Sequence, residues 1–427
     1  MEHDLEVHIE WRGETLLVGR LWARAKGARE TATFEYDRAW LGRPGAFALD
    51  PNLPLTPGQF HRDGGLFNAF TDPAPDRWGR NLMARRERRS AKAEGRAPRT
   101  LMGADFLTLV EDETRMGALR FRNAGGEVFL SQADRPVPPL VALPRLLSAA
   151  TRVIADKESD DDLRLLLAPG SSLGGARPKA SVRDGEGRLL IAKFPSQSDD
   201  WPIPRWEATA MTLAERAGVI VPAWRLETVA RRPVFLIGRF DRQADSRRVP
   251  FISALTALGA TDGESRSYVE LVEVLRRDGA AAPEDAAQLW RRMVFNILIS
   301  NTDDHLRNHG YLRTAAGWRL SPAYDLNPVP TDVKPRIHSL ALDEVHDEAS
   351  LDTALQAAPA FGLTHAEALQ IAAAVGDAVA GWREAATQSG LNAVQIERMQ
   401  SAFEHEDLQK ATGARPIVAP TRRLRRR

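Results

Sequence analysis

The sequence predicts an α+β protein built as two lobes, one β-rich and one mainly helical, with a further β-rich subdomain in front of them. Three observations carry this prediction. The chain opens on short runs that alternate apolar and polar residues. A second strand-rich series, with one clear helix inside it, follows a proline-rich linker. From about residue 242 apolar residues recur at a spacing of three to four, as helices require.

VHIEWRG, TLLVGRLWA and ATFEYDRAWL read as short strands punctuated by glycine. The proline-rich loop DPNLPLTPG follows, then a basic helix from Asp76. DFLTLVEDETRMGALRF reads as a helix running into a strand. The linker DRPVPP (134–139) places a domain boundary, and a helix over 144–156 comes after it. SSLGGARPKASVRD is a glycine-containing turn leading into a strand, and EGRLLIAKFP is a second strand. WEATAMTLAERAG is a helix, with Ala210, Leu213, Ala214 and Ala217 on one face and Gly218 as its stop. VIVPAWRLETVA and RRPVFLIGRFDR are two more strands. YVELVEVLRRDG, PEDAAQLWRRMVFNILIS, THAEALQIAAAVGDAVAGWREAAT and LNAVQIERMQSAFEHEDL are helical, interrupted by a hairpin at GYLRTAAGWRL. The expected units are a subdomain over 1–135, a β-rich lobe over 136–241, a helical lobe over 242–412 and a basic, disordered tail over 413–427.

Composition narrows the function classes. With 43% hydrophobic and 27% charged residues, the chain is typical of a globular protein with real cores. No run approaches the roughly 18 consecutive apolar residues of a membrane span. The acidic start MEHDLEVHIEW is unlike a secretory signal. There are no cysteines, which excludes disulfides and thiolate metal sites. A cytoplasmic protein is expected. The formal net charge is only +1, but arginines cluster over 77–99 and in the closing TRRLRRR. Such clusters are either phosphate-binding surfaces or solvated faces.

The chemistry concentrates at NTDDHLRNHG (301–310), directly after the apolar run MVFNILIS. Two readings compete. A transition-metal site could use Asp303, Asp304, His305 and His309, since the two histidines are four apart. But Gly310 and the adjoining acids favour a loop. The other reading is phosphoryl transfer, because a β-rich lobe followed by a helical lobe with an acidic loop is the layout of a protein-kinase-like fold. Asp303 and Asn308 have the D-x-x-x-x-N spacing of a kinase catalytic loop. That spacing lets an aspartate take a hydroxyl proton while the asparagine turns back to a metal. His305 then braces the loop, and Asp304 is an alternative base. Asp325, in SPAYDLNP, returns after the hairpin to chelate magnesium, which prefers hard oxygen ligands. Lys193 ends the strand LLIAKFP, as a kinase phosphate-contacting lysine does, and Glu207 opens the next helix where a pairing glutamate is needed. The glycines of SSLGGARPK let backbone amides approach phosphate oxygens, although a tight hairpin turn would explain them equally.

SSLGGARPKA, LLIAKFP, WEATAMTLAERAGVIVP, FLIGRFDR, NTDDHLRNHGYL and LSPAYDLNP occur in the order seen in HipA-family serine/threonine kinases, which the chain resembles over about 5–410. VGRLW, FEYDRAWL, PLTPG and DPAPDRWGR resemble that family's first subdomain. The resemblance implies Asp303 as catalytic base and Asn308 and Asp325 as magnesium ligands. It implies ATP as cofactor, contacted by Ser172, Gly174, Gly175, Lys179 and Lys193, by the hinge residues Gly238, Arg239 and Phe240, and by His305. Ser172 matches a loop serine that such kinases phosphorylate on themselves. Gly238 stands where relatives can carry an acid, and Arg177 and Pro178 where polar residues are common. Implied further are a HipB-like helix-turn-helix antitoxin, DNA reached through it, and a protein substrate such as an aminoacyl-tRNA synthetase or another translation factor, with growth arrest as the outcome. A small-molecule kinase and a DNA-binding co-repressor are the alternatives.

Overall fold

The computed structural model describes residues 2–131, 137–167 and 175–413. It is a bilobal, kinase-like α+β fold with an extra N-terminal β-sheet body. That body is a five-stranded antiparallel sheet in which β1 (Glu2–Trp11), β2 (Glu14–Lys26), β3 (Arg29–Tyr36), β4 (Gln59–Asp63) and β5 (Leu119–Asn123) run in the order β4-β3-β2-β1-β5. Leu5, Val7, Ile9 and Trp11 are all buried, as the period-two pattern requires. Arg12 and Gly13 both have positive φ and make the two-residue turn between β1 and β2, whose twist matches the strands. β4 comes from QFHRD, which carries no strand signal of its own and is recruited by pairing with β3. The basic helix α1 (Arg77–Ala93) follows, capped by Asp76, whose side chain accepts from the Gly79 amide.

The first lobe is a four-stranded antiparallel sheet of β6 (Lys179–Arg183), β7 (Leu189–Lys193), β8 (Trp224–Val229) and β9 (Arg232–Gly238), in the order β6-β7-β9-β8. Helices cover both faces, so β7 is apolar throughout and ends on a lysine. Leu190 and Ala192 face α2 (Leu143–Ile154) and α3 (Asp160–Leu167). Ile191 faces the core containing α4 (Ile203–Arg216). Lys193, two residues on, shares that second face. The helix α3 is absent from the expectation; DDDLRLLL is too short for a decisive period.

The second lobe is built around α6 (Ala282–Leu298), whose Leu289, Trp290, Met293, Val294, Phe295, Ile297 and Leu298 are all fully buried. Packing on them are α5 (Tyr268–Asp278) and α7 (His365–Ala380). The expected single helix over 364–387 is two, because the chain breaks at Gly381 before a second helix, Trp382–Gln388. A small sheet of β10 (Phe251–Ser253), β11 (Gly310–Arg313) and β12 (Trp318–Leu320) closes the lobe beside the NTDDHLRNHG loop. Gly310 is required there. A Cβ would stand 2.2 Å from the Phe251 ring and 3.0 Å from the Ile252 carbonyl. Among the described residues no helix is long and apolar enough to cross a membrane.

Candidate active site

The loop after α6 owes its shape to a buried polar cluster. Asp304 is 2% exposed, accepts a short bond from the Tyr268 hydroxyl, and lies 2.8 Å from His309 Nε2. The other ring nitrogen of His309 faces Arg292 at 3.4 Å, and Arg292 donates to the Ser321 carbonyl at 2.7 Å. Asn296 donates to the Tyr268 hydroxyl and Asn301 to Asn296. Burial alone would raise the Asp304 pKa, but His309 and the Tyr268 hydroxyl outweigh it and hold the carboxyl below its usual range. Asp304 and His309 are therefore structural partners of each other. The competing four-residue metal cluster does not form, and Asp304 is no candidate base. The bracing role expected of His305 falls to His309, while His305 is half-buried with Nδ1 unpartnered among the described residues.

Asp303, by contrast, leaves its side chain 75% exposed. The turn Leu306–Asn308 brings Asn308 back so that its Nδ2 donates to the Asp303 carbonyl at 3.1 Å. Asn308 Oδ1 is buried and has no partner among the described residues. An acceptor left bare in this way is unusual in a folded core. Asp325 sits at φ +60°, a left-handed conformation that non-glycine residues adopt mainly under constraint. Its Oδ1 lies 2.8 Å from Lys193 Nζ. Together, Asn308 Oδ1 and the Asp325 carboxylate are the hard oxygen donors that magnesium prefers, so these residues fit that ion.

Lys193 joins the two lobes. Its ammonium contacts Glu207 Oε1 on α4 at 2.5 Å and Asp325 at 2.8 Å, with only 11% of the side chain exposed. Burial would lower its pKa, but the two carboxylates overcome this and raise it, so Lys193 stays protonated. Asp325 is held ionised in the same way: Lys193 outweighs burial. Glu207, the deepest of the three, is pushed up by burial against the pull of Lys193. On β6, Lys179 is the register partner of Lys193, and its Nζ donates to Asp76 Oδ2 at 2.7 Å and to the Gly175 carbonyl at 3.1 Å. Trp78 donates to the Lys179 carbonyl. Asp76 and Trp78, in DPAPDRWGR, have no local signal for this part, because their partner Lys179 lies about a hundred residues away. Ser172 and Gly174 lie outside the described residues.

At the hinge, Gly238, Arg239 and Phe240 line a cavity of about 340 Å³ together with Leu189, Trp224 and Leu236. Phe240 stacks on Tyr324, the neighbour of Asp325, at 5.4 Å. The Arg239 guanidinium is committed elsewhere: it pairs with Asp241 and donates to the carbonyls of Thr114 and Arg115. It therefore fixes the hinge to the N-terminal body and offers a ligand no side-chain donor. Gly238 is set by packing, since a Cβ would meet the Ala223 carbonyl at 3.2 Å. Of the six arginines of α1, Arg85 pairs with Asp156 and Glu158 and Arg89 with Asp160, while Arg77, Arg80, Arg86 and Arg88 make no ion pair among the described residues; Arg96, after the helix, pairs with Glu87 and Glu94. TRRLRRR lies outside the described residues.

The chain matches the family model of the HipA N-terminal domain over residues 11–102 and that of the HipA-like C-terminal domain over residues 171–382. Two curated proteins of Sinorhizobium fredii are similar to parts of it. Putative kinase Y4mE is 29% identical over 146 residues, which is 32% of this chain and 33% of the relative. Putative kinase Y4dM is 32% identical over 161 residues, which is 34% of this chain and 38% of the relative. The matched segments thus span little more than a third of these relatives' length. Among solved structures, a chain of the Shewanella oneidensis MR-1 toxin–antitoxin complex of HipA, HipB and operator DNA superposes with a TM-score of 0.66. It is 17% identical, and the match covers 96% of this chain and 97% of that one.

Proposed function

The chain belongs to the HipA family, and we propose that it is an ATP- and magnesium-dependent serine/threonine protein kinase acting as a HipA-like toxin. The observation that carries the reading is Lys193 bridging Glu207 of the first lobe and Asp325 of the second, beside a loop in which Asn308 bonds back to the Asp303 carbonyl. Lys193 holds the α- and β-phosphates of ATP, and Glu207 fixes Lys193. Asn308 and Asp325 hold magnesium, which supplies positive charge against the phosphate oxygens. Asp303 takes the proton of the acceptor hydroxyl as its oxygen bonds to the γ-phosphorus and the bridging oxygen leaves with ADP. Gly175 and Lys179 complete the loop side of the nucleotide site. His305, with an unpartnered ring nitrogen next to the base, is available to the phosphates.

The proposed units are those expected from the sequence: a subdomain over 1–135, then lobes over 136–241 and 242–412. A HipB-like antitoxin, with DNA reached through it, is the proposed partner, supported by the complex in which the solved relative was captured. The proposed targets are translation proteins such as aminoacyl-tRNA synthetases, with growth arrest as the outcome in the cytoplasm. The test is mass spectrometry of cell lysate incubated with the protein and heavy-labelled ATP. Label on serine or threonine of proteins is expected. Label on a metabolite instead would make this a small-molecule kinase, and no label, with salt-sensitive DNA retention, would make it a co-repressor.

A further inference from the structure

A kinase-type loop needs positive charge where the phosphoryl group crosses to the acceptor, because charge develops on its equatorial oxygens. The loop between Asp303 and Asn308 contains one arginine, Arg307, and it is committed elsewhere. Its guanidinium donates to both carboxylate oxygens of Asp262, at 2.8 and 2.9 Å, and lies 3.9 Å from Asp72. The cation that does reach Asp303 comes from the segment after Asp325. Lys334 Nζ donates to the Thr302 carbonyl at 3.1 Å and stands 3.8 Å from Asp303 Oδ1. Among the described residues this is the only ion pair that Asp303 makes. Ser339 anchors the same segment, donating to the Thr302 carbonyl through both its amide and its hydroxyl.

The pair is a poor stabilising device. It is long, and both side chains are open to water, at 38% and 75% exposure, so screening removes most of its worth. Its position is better explained by chemistry. The ammonium is tied to the carbonyl immediately before the base and stands 3.8 Å from the carboxylate that an acceptor hydroxyl must reach.

We infer that Lys334 is a further catalytic residue, whose ammonium contacts the phosphoryl group as it passes to the hydroxyl held by Asp303. The inference rests on the phosphoryl-transfer reading above. The hydroxyl proton goes to Asp303 as the hydroxyl oxygen bonds to the γ-phosphorus, and the bridging oxygen leaves with ADP.

The experiment uses the full chain, magnesium, γ-labelled ATP and total lysate protein as acceptor. Lys334→Ala is expected to slow transfer about 10²-fold, the usual scale for losing one preorganised charge, with the half-saturating ATP concentration unchanged. Lys334→Arg retains most of the rate. In Lys334→Ala the loss falls on the maximal rate at saturating ATP, with directly measured nucleotide binding unchanged; a merely structural role would lower both. A Lys334→Ala rate within twofold of wild type, or a loss that comes wholly from weakened ATP binding, overturns the inference while the kinase reading stands. Transfer that is absent in wild type, or that survives Asp303→Asn, sinks both.

Discussion

Lys193→Met is the most informative perturbation of the cleft, because it removes one charge from between two. The ammonium is nearly enclosed, and its loss leaves Glu207 (2% exposed) and Asp325 (25% exposed) as neighbouring carboxylates with no counter-charge between them. Breaking one buried pair in this way costs about 3–5 kcal/mol. The value is also pH-dependent. In wild type Asp325 is held well below the ordinary carboxylate pKa of about 3.9, so its contribution is complete above that pH and lost only in strong acid. In the variant, burial and like-charge repulsion raise both carboxyls. The penalty is then largest at pH 8 and shrinks as the pH falls towards 5 and the pair takes up a proton. Urea unfolding followed by tryptophan fluorescence at both pH values measures this. A loss under about 1 kcal/mol at pH 8, or a loss independent of pH, would refute the view that the three charges form one unit.

Two further outcomes follow from buried groups outside the cleft. Asp76→Asn keeps the helix cap but replaces the charged partner of Lys179, and is expected to cost about 2–3 kcal/mol in urea unfolding; an unchanged midpoint would show that the N-terminal body does not hold β6. His338 is buried with both ring nitrogens unpartnered among the described residues, and burial pushes its pKa down to about 4. Because the unfolded chain binds that proton near pH 6.5, stability is complete above about 6.5 and falls by about 3 kcal/mol as the pH drops to 4. His338→Phe should flatten this dependence by one proton, and an unaltered slope would sink the assignment.

What the sequence made legible were features whose signal is local. The alternation in β1, the apolar strand ending on Lys193, the five-residue step from Asp303 to Asn308 and the return at Asp325 all declare themselves within a short window. The rest depends on partners far along the chain. Asp304 is explained by Tyr268, 36 residues earlier, Lys179 by Asp76, 103 residues earlier, and Arg239 by Thr114, 125 residues earlier. No periodicity encodes such pairs. Which of His305 and His309 braces the loop is set in the same way: both lie in one loop, and only the fold decides that the His309 ring meets Asp304 and Arg292. Likewise Lys334 lies in a stretch of PTDVKPRIH with no regular element, and only the bond to the Thr302 carbonyl brings it to the base.

The central claim is that Asp303 is the base of a phosphoryl transfer. The most direct test compares Asp303→Asn with wild type for nucleotide binding and for transfer of label from γ-labelled ATP to protein. Unchanged ATP affinity and a transfer rate lower by about 10²–10⁴-fold, the range for loss of a general base, are expected. A variant that transfers as fast as wild type would contradict it.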